Sequence, residues 1–128
     1  MKIDTGNLNP GTWFDIPGDT GRICLRSLSF DDAARIRKAT TKVKTEYKNG
    51  QRFEFEDTDD EKAAEMTWDA CIVDWDGLTG ADDAPIPCTS ELKIKLMRNE
   101  PKFARIVSGM IEKLKQAEAV ADEADLKN

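Results

Sequence analysis

The sequence predicts an α+β fold in which short N-terminal strands and a β-hairpin pack with about four helices. Three observations favour this class. Two β-forming runs flank a Pro-Gly turn near the N-terminus. The dipeptide Asn49-Gly50, a strong hairpin signal, lies between two alternating segments. Apolar residues recur at helical spacing in later segments, most clearly within 58–75.

The chain of 128 residues has the length of one domain. We predict an irregular leader over residues 1–11, a single globular domain over 12–117, and an acidic, frayed tail over 118–128. The tail is rich in alanine but has little to bury, so the last helix is expected near 101–117.

Composition restricts the possible partners. The chain has 25 acidic and 19 basic residues, a net charge of −6, and an acidic surface repels phosphate backbones. We therefore expect no nucleic-acid partner. No apolar run approaches the roughly 20 residues of a membrane helix, and the N-terminus lacks the apolar core of a signal peptide. These features predict a cytoplasmic protein with no membrane partner.

The N-terminal half divides into strands, one helix and the hairpin. The runs 12–16 and 21–28 fit two strands around the Pro-Gly turn. Ser29 can cap a helix over 29–40, where Leu28 can pack as a hydrophobic staple against Ala33.

Two hairpin registers are possible for residues 41–57. A two-residue Asn-Gly loop pairs Tyr47 with Arg52. It places the two phenylalanines on the opposite face of the hairpin from Tyr47. A three-residue loop pairs Val43 with Phe55, and all apolar side chains then share one face. We prefer the three-residue loop for that reason. The competing interpretation of residues 41–56 extends the first helix through residue 47.

The C-terminal half is predicted to be mainly helical. A central helix near 58–75 begins with a capping box of Thr58 and Glu61 and ends before Gly77. Thr89 or Ser90 caps a short helix that follows, although its alternation would also suit a strand. The last helix begins at Pro101, and the following residues form its apolar stripe: Phe103, Ile106, Val107, Met110, Ile111 and Leu114.

No residue pattern indicates catalysis or a cofactor. The chain has no histidine, and its three cysteines are too widely spaced for a zinc site. The cluster of Asp74, Asp76, Asp82 and Asp83 fails both registers of a calcium-binding EF-hand loop. We therefore predict no catalytic, cofactor-binding or metal-binding residues. Trp75 is interpreted either as a core residue on one helix face, or as an exposed edge in a recognition groove.

Six segments, in their order and spacing over about residues 10–115, resemble the phage tail assembly chaperone family: GTWFDI, RICLRSLS, ATTKVKTEYKNGQRFEFE, TWDACIVDWDGL, IPCTSELKIKLM and PKFARIVSGMIEKL. The resemblance implies a non-enzymatic protein that binds the tape-measure protein and helps recruit tail-tube subunits. It also implies a location in the cytoplasm of the bacterial host and absence from the mature virion.

The expected contact with the tape-measure protein is apolar, and the tail-tube protein is a further candidate partner. We place the apolar contact at the exit of the central helix and along uncovered parts of the last helix. The predicted partner-binding residues are Trp75, Gly77, Leu78, Phe103 and Met110. Two other classes stay open, namely a structural virion subunit of the tail (tube or connector) and an acidic protein that mimics DNA.

Overall fold

The computed structural model describes residues 1–127, with side chains described through residue 121. It confirms the α+β class, with four helices and two small antiparallel sheets within those residues. The elements in chain order are β1 (Thr12–Asp15), β2 (Arg22–Leu25), α1 (Phe30–Thr40), β3 (Thr41–Lys48), β4 (Gln51–Thr58), α2 (Asp60–Cys71), β5 (Ile72–Asp76), α3 (Ser90–Asn99) and α4 (Pro101–Lys127).

Backbone contacts group the chain into two compact units. The three-stranded unit comprises residues 1–27 and the chain from Trp68 onward, and the hairpin unit comprises residues 28–67. The single globular domain predicted over 12–117 would include all of the hairpin unit and most of the three-stranded unit, and it stays a prediction.

The three-stranded unit contains the sheet of order β1–β2–β5, in which both pairs are antiparallel. Ile23 of β2 lies between Phe14 of β1 and Trp75 of β5. A register irregularity between Cys24 and Leu25 adjusts the pairing with β5. The core of this unit consists of Ile23, Leu25, Ile72, Trp75, Phe103, Val107, Met110 and Leu114.

The predicted central helix over 58–75 is too long at both ends. Asp59 caps α2, since its carboxylate accepts from the Lys62 backbone N–H at 3.1 Å, whereas Thr58 belongs to β4. The helix ends at Cys71, whose carbonyl accepts from the Arg26 backbone N–H at 2.9 Å. Residues 72–76 then form β5 and pair with β2. A long-range strand pairing therefore overrides the local helical spacing.

The hairpin has the two-residue loop that the sequence analysis disfavoured. Tyr47 pairs with Arg52, Lys48 pairs with Gln51, and Val43 faces Glu56 instead of Phe55. Asn49 and Gly50 have φ values of 54° and 75°, as a type I′ turn requires. The twist of this turn matches that of the strands, which explains why the preferred three-residue loop is wrong. Residues 41–56 are also not an extension of α1.

Local caps define the remaining helices. The Ser29 hydroxyl accepts from the Asp32 N–H at the start of α1, and Thr89 does the same for Leu92 in α3. Helix α4 begins at Pro101, as predicted, but extends well beyond residue 117 to Lys127. The Ser27 hydroxyl donates to the Glu118 carboxylate, whose two oxygens lie 2.8 and 2.9 Å from Ser27 Oγ. This contact holds the Glu118 turn of α4 against the segment that follows β2 in the three-stranded unit. Within the predicted frayed tail, Asn128 lies outside the described residues.

Candidate functional site

Three of the predicted partner-binding residues lie in the core of the three-stranded unit. Trp75, Phe103 and Met110 are exposed by 6%, 8% and 4%. The Trp75 and Phe103 rings pack edge to face with centroids 5.8 Å apart. The Trp75 indole Nε1–H donates to the Ile86 carbonyl at 2.7 Å, so its polar edge is also satisfied. The exposed tryptophan edge considered in the sequence analysis is absent.

Gly77 and Leu78 begin the loop that follows β5. Gly77 has a φ of 77°, and a Cβ built there would lie 2.9 Å from the Gly21 Cα. Leu78 is partly buried against the core, and its carbonyl accepts from the Ile86 N–H at 2.9 Å. This hydrogen bond folds the loop back over Trp75. Both residues therefore have clear structural roles, whereas their predicted role in partner binding stays a prediction.

The acidic residues near this loop make local contacts. The Asp74 carboxylate accepts from the Trp75 N–H at 2.8 Å, and Asp76 forms an exposed ion pair with Arg22 at 3.7 Å. Asp82 accepts from the Ala84 N–H at 3.2 Å. Among the described residues, no group of three or more cysteine, aspartate or glutamate side chains is placed to hold a metal ion.

The buried thiols favour their protonated form. Burial raises the pKa of the Cys24 thiol, and the nearby Asp74 carboxylate raises it further. The Cys24 Sγ lies 3.8 Å from the Pro10 carbonyl, to which the thiol donates. Burial likewise raises the pKa of Cys88. Since the thiolate is the reactive species, these environments suit structural cysteines better than nucleophiles.

The hairpin carries an exposed apolar surface that the sequence analysis did not identify. Val43, Tyr47, Phe53 and Phe55 are exposed by 67%, 74%, 48% and 40%. We refer to these four side chains as the hairpin surface. All residues of β4, and all of β3 after Thr41, are exposed. Exposed aromatic side chains are enriched at protein interaction sites.

The register distributes the hairpin surface over both faces of the two-stranded sheet. Residues directly opposite each other in an antiparallel pair project to the same face. Val43 and Tyr47 therefore share one face with their partners Glu56 and Arg52. Phe55 pairs with Lys44, and Phe53 pairs with Glu46. Both phenylalanines therefore project to the other face. Each face thus combines two apolar side chains with charged ones.

The hairpin unit buries little of its own apolar surface. Its buried residues are Ile36 and Thr40, and the Thr40 hydroxyl donates to the Ile36 carbonyl at 2.7 Å. An open cleft of about 400 Å³ lies in this unit, lined in part by Leu28, Ala33 and Ile36. An isolated two-stranded hairpin is marginally stable in water, so a partner that covered it would stabilise this unit.

The sequence contained a signal for the hairpin surface. Apolar and charged residues alternate on both sides of Asn49-Gly50. The register preferred from the sequence places all the apolar side chains on one buried face. With the two-residue loop that the structure contains, the same alternation leaves apolar residues on two faces. This arrangement cannot be buried by packing against one side only.

The fold and the hairpin surface define a small acidic α+β protein that presents exposed aromatic side chains on a two-stranded hairpin. None of the helices among residues 1–127 is both long and apolar enough to cross a membrane. The chain belongs to the YdaY prophage protein family, whose sequence model matches residues 30–128. This match supports a phage or prophage origin. Comparisons with curated proteins and with solved structures give no match.

Proposed function

We propose that this protein is a non-enzymatic tail assembly chaperone of a phage or prophage. In this proposal it binds the tape-measure protein in the cytoplasm of the bacterial host and helps recruit tail-tube subunits. It then leaves before the virion is complete. The family match supports the phage origin, and the resemblance of the ordered segments to tail assembly chaperones supports the specific role.

The hairpin surface is the observation that carries this proposal. A chaperone must cover apolar segments of its client before assembly, and it therefore needs apolar side chains that its own fold leaves exposed. Tyr47, Phe53 and Phe55 meet this requirement, whereas Trp75, Phe103 and Met110 are buried in their own core. We accordingly propose the hairpin as the main client contact, and a further contact around Gly77 and Leu78 stays a prediction.

Co-expression with the tape-measure protein of the same prophage tests this proposal. The client should be more soluble in the presence of the chaperone, and the two proteins should purify together. An apolar contact should survive moderate salt, because screening weakens exposed charge pairs far more than apolar burial. Equal precipitation of the client with and without this protein would contradict the proposal.

A matched pair of variants locates the contact. Phe53→Ser combined with Phe55→Ser removes both aromatic rings from one face of the hairpin. Phe30→Ser is the control, since Phe30 is 88% exposed but lies at the start of α1. Circular dichroism should show that both variants remain folded. We expect the double variant to lose the client and the control to retain it.

The second candidate function is a structural subunit of the tail, in the tube or a connector. It is favoured by the two edges of the hairpin that have no partner strand among the described residues, because such edges can pair with further copies in a ring. Mass spectrometry of virions purified after prophage induction separates the two candidates. The protein should be absent from them if it is a chaperone and present in many copies if it is a subunit.

A further inference from the structure

We propose that copies of this chain associate head to tail through the edges of the hairpin, with β3 of one copy beside β4 of the next. Within residues 1–127 the sheet consists of β3 and β4, so each strand has one edge that no other described strand covers. Such an edge presents unpaired N–H and C=O groups that can pair with another strand. Each strand is eight residues long and exposed along nearly its whole length.

The charges of the two strands select the pairing. Strand β3 contains three lysines and one glutamate, a net charge of +2. Strand β4 contains one arginine against two glutamates and one aspartate, a net charge of −2. Like charges placed opposite each other destabilise a strand pair. Contacts of β3 with β3, or of β4 with β4, are therefore disfavoured, and contact of β3 with β4 is favoured.

The occupant that fits both edges is a second copy of this chain, because it supplies the opposite strand at each edge. A contact of β3 with β4 uses different surfaces on the two copies, so each added copy leaves one edge of each kind free. Interfaces of this type continue into a ring or an open filament. We therefore expect oligomers larger than a dimer at high protein concentration.

Salt should control this association. The charged side chains of the hairpin are exposed, and their interactions over distance are screened by ions. The screening length is about 30 Å at 0.01 M salt and about 3 Å at 1 M. Sedimentation velocity on the purified full chain should show oligomers that grow with concentration at the lower salt and a monomer at the higher.

Charge reversal tests the pairing directly. In one variant, Lys42→Glu and Lys48→Glu make β3 acidic. In the other, Glu54→Lys and Glu56→Lys make β4 basic. Each variant alone places like charges on both strands and should be monomeric at low salt. A mixture of the two variants restores opposite charges between copies and should again form oligomers.

A control reverses two exposed lysines outside the hairpin, Lys113→Glu with Lys115→Glu on α4, and should associate like the unaltered protein. The inference is overturned if the unaltered protein is monomeric at low salt at every concentration. It is also overturned if either hairpin variant associates alone, or if the mixture stays monomeric. All these measurements omit the tape-measure protein, and the variants keep the four side chains of the hairpin surface. Failure here is therefore distinguishable from failure of the proposed chaperone function.

Discussion

Replacing Gly77 by alanine separates a structural role for this residue from the predicted role in partner binding. Gly77 has a φ of 77°, in the region that side chains with L chirality rarely adopt. An added Cβ would also lie 2.9 Å from the Cα of Gly21, which precedes β2. Because this neighbour is backbone, it cannot move aside as a flexible side chain would.

The expected loss of stability has two parts. A left-handed conformation costs an alanine about 1–2 kcal/mol, and the reduced freedom of the unfolded chain offsets about 0.4–1 kcal/mol of this. Overpacking adds about 1–3 kcal/mol. We therefore expect Gly77→Ala to reduce the free energy of unfolding by about 1–5 kcal/mol, compared with the 5–15 kcal/mol typical of a domain.

Gly18→Ala is the matched control for Gly77→Ala. Gly18 lies in the same three-stranded unit and has a φ of 73°, but nothing lies within 4 Å of an added Cβ. Gly18→Ala should therefore reduce the free energy of unfolding by only about 1 kcal/mol. Urea denaturation followed by tryptophan fluorescence measures both, because Trp75 is buried in this unit. Equal midpoints for the two variants would refute the steric argument, and weakened client capture without destabilisation would support the partner-binding prediction.

Three further predictions follow from the core, the thiols and the acidic residues. Trp75→Ala should destabilise by about 3–5 kcal/mol in urea denaturation, as is usual for a buried aromatic residue, whereas Trp68→Ala should cost less because Trp68 is only partly buried. Burial raises the pKa of Cys24 above its ordinary value of 9.0, so folding favours the thiol. That stabilisation is complete below about pH 9 and is lost as the pH rises through the folded-state pKa. As the pH rises above about 9, Cys24→Ala should therefore lose less stability than the unaltered protein, and an equal loss would contradict this. Calorimetry with calcium or zinc should show no binding tighter than about millimolar, and a micromolar site that depends on Asp74 and Asp76 would contradict the failed ligand spacing.

Helix starts were predictable where the signal is local. Ser29 and Thr89 cap α1 and α3 through N–H groups three residues further along the chain, and Pro101 begins α4. Such signals depend on residue types within one turn, so the sequence alone identifies them. Beyond the predicted end of α4, Glu118 contacts the distant Ser27, and no local signal reports that contact.

Strand β5 could not be predicted from its own residues. The apolar spacing around Trp68, Cys71 and Trp75 fits a helix, but Ile72 and Val73 are β-branched and favour a strand. Pairing with β2, about 50 residues away in the chain, decides between the two. The same pairing buries Trp75 in the core, so the exposed indole edge considered from the sequence is not present.

The hairpin shows why its exposed apolar surface was not predicted. The three-residue loop was preferred because it places every apolar side chain on one face, which assumes that the chain buries its own apolar residues. The structure instead follows the geometry of Asn49-Gly50 and leaves Phe53 and Phe55 exposed. Where the turn and the burial pattern of a hairpin disagree, apolar side chains stay exposed on the unit and are free to contact a partner. The proposed client and the proposed neighbouring copy are two such partners, one at the faces and the other at the edges.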